Sequence, residues 1–105
     1  MKQQLDGFMV RRFSRFPIRT TTMYLGKDFT GQGILRELSR VGCHVLGNYP
    51  VTLGDALSLR ISFPTPLTPI WIKDARVKWV DGLEFGVAFT MLDERAAGYL
   101  EKLLR

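Results

Sequence analysis

The chain is short of nearly everything that enzyme chemistry draws on. It has one cysteine, Cys43, and one histidine, His44, in 105 residues. A lone cysteine excludes an internal disulfide, and with a single histidine beside it a zinc site lacks most of its ligands. No Gly-x-Ser-x-Gly elbow and no Gly-x-x-x-x-Gly-Lys phosphate loop occurs. Asp93-Glu94 are adjacent carboxylates, but at a helix start capping and the helix dipole account for them. The chain therefore reads as non-catalytic, with no cofactor and no metal. Long apolar runs are missing too. None approaches the ~20 residues that cross a bilayer, and Met1 to Gly7 holds no apolar stretch of signal-peptide length. These absences predict a cytoplasmic protein without membrane insertion.

What is present suits one packed domain. Apolar residues make up 46% of the chain and aromatics 11%, so a core can form without staples. A domain of this size buries roughly two-thirds of the surface of its unfolded chain. The net charge is +5, which permits anionic partners and selects none. Its placement says more. Arg11, Arg12, Arg15 and Arg19 lie in one short segment that contains no acid. Elsewhere acids and bases are mixed, as on an ordinary solvated surface.

Hydrophobic periodicity places the elements. Thr20 to Leu25, β-branched and aromatic, predicts a strand. Lys27 to Gly33 reads as a turn, Ile34 to Leu38 as a strand, Ser39 to Gly42 as a second turn and Cys43 to Leu46 as the next strand. Ala56 to Phe63 alternates strictly, with Leu57, Leu59, Ile61 and Phe63 on one face, and the prolines at 64, 66 and 69 end it. Trp71 to Val80 alternates again, with Ala75, Val77 and Trp79 assigned to a shared face. Asp81-Gly82 predicts a two-residue hairpin, and Leu83, Phe85, Val87 and Phe89 the buried face of the returning strand. Asp93 caps a closing helix whose apolar stripe is Ala96, Leu100, Leu103 and Leu104. Five or six short strands and a terminal helix predict a mainly all-β fold: a small six-stranded antiparallel β-barrel with a C-terminal α-helix and a flexible N-terminal arm. The arm is assigned to residues 1–9 and the barrel domain to 10–105.

Two segments carry chemistry. The arginine cluster offers rigid guanidinium forks that match phosphate geometry, and its plain alternative is a solvated basic tail. Glu37-Leu38-Ser39-Arg40-Val41-Gly42 sets a carboxylate, a hydroxyl and a glycine in one turn. Its plain alternative is serine bonding its own backbone and glycine supplying a positive φ. Together they resemble the PilZ domain, the bacterial receptor module for cyclic di-GMP, which carries Arg-x-x-x-Arg near its start and Asp/Asn-x-Ser-x-x-Gly about twenty residues on. Arg11 and Arg15 fit the first motif; Arg15 with Arg19 also satisfies it, but Phe16-Pro17 after Arg15 favours the earlier register. Ser39 and Gly42 fit the second, with Glu37 at its acidic position. Gly54-Asp55, Ala75 to Trp79, Phe85 to Phe89 and the closing helix extend the resemblance over about residues 10 to 105.

The resemblance implies a non-catalytic cyclic di-GMP receptor. The nucleotide would be held by Arg11, Arg15, Glu37, Ser39 and Gly42, with Arg12 and Arg40 as further phosphate contacts. Trp79 would be a wall on the barrel surface or, as the alternation favours, part of the core. Ser39 would meet a guanine edge or phosphate, and Gly42 would let the ligand approach the backbone. Binding would order the N-terminal arm and change the surface offered to a downstream protein partner. Glu37 departs from the family pattern by one methylene. The alternative is therefore a divergent PilZ-type adaptor that binds proteins and takes the nucleotide weakly or not at all. A barrel binding single-stranded nucleic acid ranks last, because the aromatics are not clustered for base stacking.

Overall fold

The structure, a computed structural model, describes residues 3–4, 20–63 and 69–104. Its elements are β1 (Gln3–Gln4), β2 (Thr21–Leu25), β3 (Thr30–Leu38), β4 (Gly42–Gly47), β5 (Ala56–Ser62), β6 (Ile70–Asp81), β7 (Glu84–Met91) and α1 (Glu94–Leu103). Strands β2, β3, β4, β7, β6 and β5 pair in that order, and β5 pairs back onto β2, every ladder antiparallel. The result is the expected closed six-stranded barrel, which leaves its strands no open edge. β6 outruns β5, and β1 pairs beside its far end, Gln3 opposite Val80 and Gln4 opposite Trp79.

The alternation read from β5 fills the interior. Leu57, Leu59 and Ile61 are buried, and Ile72, Ala75, Val77, Phe85 and Val87 meet them from β6 and β7. Tyr24 lies wholly buried among them. Its hydroxyl donates to the Tyr49 carbonyl (2.6 Å) and accepts from the Tyr49 N–H (2.9 Å), so its polar end is satisfied. At the chain's end the Asp93 carboxylate accepts from the Ala96 N–H (2.8 Å), and α1 buries Ala96 and Leu100, with Leu104 just beyond. The predicted cap and stripe are both present; Leu103 is only partly buried.

Three sequence expectations need correction. Gly31 and Gly33 belong to β3 and not to a turn. Gly31 sits opposite Tyr24, and a Cβ there would lie 2.3 Å from the tyrosine ring, so the glycine makes room for the core's largest side chain. The β6–β7 hairpin closes one residue later than expected: Asp81 pairs with Glu84, and Gly82-Leu83 forms the loop. Gly82 has φ +64, and no described non-glycine residue has positive φ, the signature of a type II′ turn with glycine first. Leu83 is consequently on the loop and exposed. The third correction concerns Trp79 and follows from a bulge.

Candidate functional site

Regular alternation would turn both Glu37 and Trp79 toward the interior. Leu35 and Val77 point inward, and each candidate residue lies two positions further along its strand. Two bulges undo this. On β3, Leu35 pairs with Val45 but Glu37 pairs with His44, so Arg36 is the extra residue. On β6, Val77 pairs with Val87 but Trp79 pairs with Gly86, so Lys78 is the extra one. Each bulge flips the residues after it to the opposite face. Leu38 and Val80 then return to the core side, three positions after Leu35 and Val77.

The flipped residues meet in one row. Glu37 on β3 neighbours His44 on β4, His44 neighbours Gly86 on β7, Gly86 neighbours Trp79 on β6, and Trp79 neighbours Gln4 on β1. Trp79 therefore does not continue the Ala75–Val77 face, and it lies outside the contiguous core cluster. It is nevertheless only 8% exposed, which makes it the floor of the row and not an open stacking face. Gly86 explains how it fits. A Cβ at Gly86 would stand 1.9 Å from the indole Nε1; without one, His44 reaches across and meets Trp79 edge-to-face at 4.6 Å between ring centroids. His44 is fixed from its other side, its Nε2–H donating to the Glu84 carboxylate at 2.7 Å.

The turn beside this row is built by Ser39. Its hydroxyl oxygen accepts from the N–H groups of Val41 (3.1 Å) and Gly42 (3.2 Å) and donates to the Gly42 carbonyl, while its own N–H donates to the same carbonyl (2.9 Å). Ser39 is fully buried. In this state its side chain shapes the hairpin. Gly42 does not have the positive φ of a turn glycine. It is required because its Cα presses against β7, where a Cβ would lie 2.2 Å from the Val87 carbonyl oxygen. The backbone that approaches Gly42 is thus the protein's own. Arg40 sits exposed at the tip of the turn. The Val41 carbonyl accepts from the Phe89 N–H (2.7 Å), tying that tip to β7.

The PilZ domain family model matches residues 9–105. The chain belongs to the PilZ family. PilZ domains are a family of cyclic di-GMP receptors. No curated protein and no solved structure matches the chain significantly.

The structure therefore brings together Glu37 and Trp79, with Arg40, Ser39 and Gly42 in the adjoining turn. Arg11, Arg12 and Arg15 lie outside the described residues. His44 and Gly86 complete the row and Glu84 holds His44 beside it; none of the three was foreseen. The usable sequence signal was the three-residue apolar spacing, Leu35 to Leu38 and Val77 to Val80, which simple alternation cannot accommodate. Among the described residues no cluster of His, Cys, Asp and Glu could hold a metal, and no helix is long and apolar enough to cross a membrane. Burial pushes the Cys43 thiol's ionisation well above its ordinary range, so this cysteine is a core residue and not a nucleophile.

Proposed function

We propose that this PilZ domain binds cyclic di-GMP on the outer row, without catalysis, and signals by ordering its N-terminal arm. The observation that carries the reading is the pair of bulges, which aim an acidic and an aromatic residue outward beside the motif turn. Glu37 has the chemistry to accept from guanine N1–H and N2–H₂, and His44, propped on the buried Trp79, offers the ring beside which a base packs. Arg11 and Arg15 would clasp phosphate oxygens or guanine O6/N7 from the arm, with Arg12 and Arg40 adding phosphate contacts. Chain length permits this. Gln4 pairs beside Trp79, and the seven residues from Gln4 to Arg11 span at most ~25 Å. Ser39 and Gly42 act by positioning the turn.

Titration calorimetry with cyclic di-GMP tests the reading. Binding is expected, with Arg15→Ala weakening it tenfold or more, because a charge-assisted hydrogen bond contributes ~1.5–3 kcal/mol. No heat at high micromolar ligand, with the protein folded, would overturn it. Glu37 favours a second reading, a PilZ adaptor that recognises proteins alone. That reading requires the native chain to give no heat and Glu37→Asp to restore it.

A further inference from the structure

The wall on the other side of the barrel carries its own row. Gln32 on β3 pairs with Met23 on β2, Met23 with Arg60 on β5, and Arg60 with Trp71 on β6. These residues face outward, since their strand neighbours Tyr24, Leu59, Ile61, Ile70 and Ile72 are buried. A groove of about 430 Å³ follows the row from Gln32 to Arg60, walled by Thr21, Met23, Gln32, Asn48, Arg60 and Ser62, and among the described residues no Asp or Glu lines it. Arg60 is its one cation among the described residues. The guanidinium lies over the Trp71 ring at 5.9 Å, and no described carboxylate is within ion-pair distance of it. Trp71 is 51% exposed and Ile34, opposite Thr21 in the β2–β3 ladder, 47%.

We infer that this groove docks an acidic segment of a partner protein, a carboxylate on Arg60 and an apolar side chain against Trp71 and Met23. Charge selects the sign of the occupant. An exposed arginine without a carboxylate partner, at the end of a groove of neutral hydroxyl and amide groups, favours an anion, and stacking on Trp71 holds its fork in place before binding. The count of charges selects the class. Nucleic acids and anionic membranes need several cations along the contact, and here, among the described residues, Arg60 is joined only by Arg95 on the Trp71 side, beside the Asp93 carboxylate. Trp, Met and Arg are the residues that protein interfaces favour at their centres. A second copy of the chain fits poorly, because each copy carries a net charge of +5. The proposal does not depend on nucleotide binding, since it uses β2, β5 and the first half of β6 instead of the motif turn.

The test is a titration of the ¹⁵N-labelled full chain with a short amidated peptide alternating glutamate with leucine, at low salt and without nucleotide. The expected result is movement of the Trp71 indole and the Met23 and Arg60 amides. Arg60→Glu should weaken binding at least ~10-fold, while Lys27→Glu, the same charge change on the exposed β2–β3 turn, should alter it less than ~2-fold. Trp71→Ala, checked for an unchanged fold, should weaken binding while leaving the net charge alone. The proposal is overturned if the two charge reversals act equally, if the glutamine version of the peptide binds as well, or if no resonance of the groove moves. It is also overturned if phosphatidylglycerol vesicles or a single-stranded oligonucleotide shift the Trp71 indole and the peptide does not.

Discussion

Replacing Gly42 with alanine separates two explanations of a motif glycine. If Gly42 serves to let a ligand approach, Gly42→Ala lowers affinity and leaves the barrel intact. The geometry argues otherwise. A Cβ at Gly42 falls 2.2 Å from the Val87 carbonyl oxygen, whereas an ordinary carbon–oxygen contact is ~3.3–3.6 Å. The shortfall is about 1 Å, and both sides of the clash are backbone, so no rotamer change relieves it. Relief requires β4 and β7 to part where Gly42 pairs with Ala88 and Cys43 with Val87, next to the 2.7 Å Phe89 N–H to Val41 carbonyl bond. Overpacking costs ~1–3 kcal/mol and each loosened backbone bond about 1 kcal/mol, which sums to ~2–4 kcal/mol. Against a total of ~5–15 kcal/mol that is a severe loss. For a domain near this size each kcal/mol moves Tm by ~4–8 °C, so a drop of at least ~8 °C is expected in a melt followed by circular dichroism without nucleotide. A Tm within about 2 °C of the parent would refute the packing argument and return Gly42 to the ligand.

Gly98→Ala should do the opposite, stabilising the chain by ~0.5–1 kcal/mol in urea denaturation, because Gly98 is exposed inside α1 and a Cβ there meets nothing within 4 Å. Ser39→Ala strands two N–H donors in the hairpin and should cost ~1–3 kcal/mol, read as a lower Tm with or without ligand. Cys43 predicts a pH effect. Its thiol stays protonated in the native state while the unfolded thiol ionises above ~8.5. The unfolded state then binds fewer protons, so this contribution is whole below that pH and is lost as pH rises, at up to ~1.4 kcal/mol per unit. Cys43→Ala should flatten the fall in stability between about pH 8.5 and pH 10; equal slopes for the two proteins would refute it.

The barrel was legible because its patterns are local. Leu57, Leu59 and Ile61 alternate without interruption, Asp93 stands three residues ahead of Ala96, the first residue of an apolar stripe, and the break at residues 64, 66 and 69 carries three prolines. The errors arose where one residue's reason lay on another strand. Gly31 resembles a turn glycine until Tyr24 is placed opposite it. Trp79 resembles a core residue until Lys78 is recognised as a bulge, and the bulge is visible only in the β6–β7 register. The motif was legible by resemblance, but the roles within it were not. Sequence spacing assigns Ser39 and Gly42 to a ligand as readily as to a turn, and the choice rests on hydrogen-bond partners and on the distance to Val87.

The motif therefore divides into a frame and a face. Ser39 closes the hairpin through four hydrogen bonds involving its own backbone and side chain, and Gly42 lets β4 press against β7. These two hold the turn at a fixed height beside the row. Glu37 belongs to the face, and it does so through the Arg36 bulge, since without the extra residue its carboxylate would enter the core at the cost of burying a charge. The same logic applies on β6, where the Lys78 bulge brings Trp79 out and Gly86 makes room for it. Two strands distant in sequence have thus broken alternation to serve one surface. Bulges disrupt a ladder and are concentrated beside functional sites, so their coincidence in a single row is stronger support for a binding wall than either motif residue alone. It follows that loss of ligand binding in a Ser39 or Gly42 variant carries information about the frame, and that the proposed contact with the nucleotide is to be tested at Glu37 and the arginines.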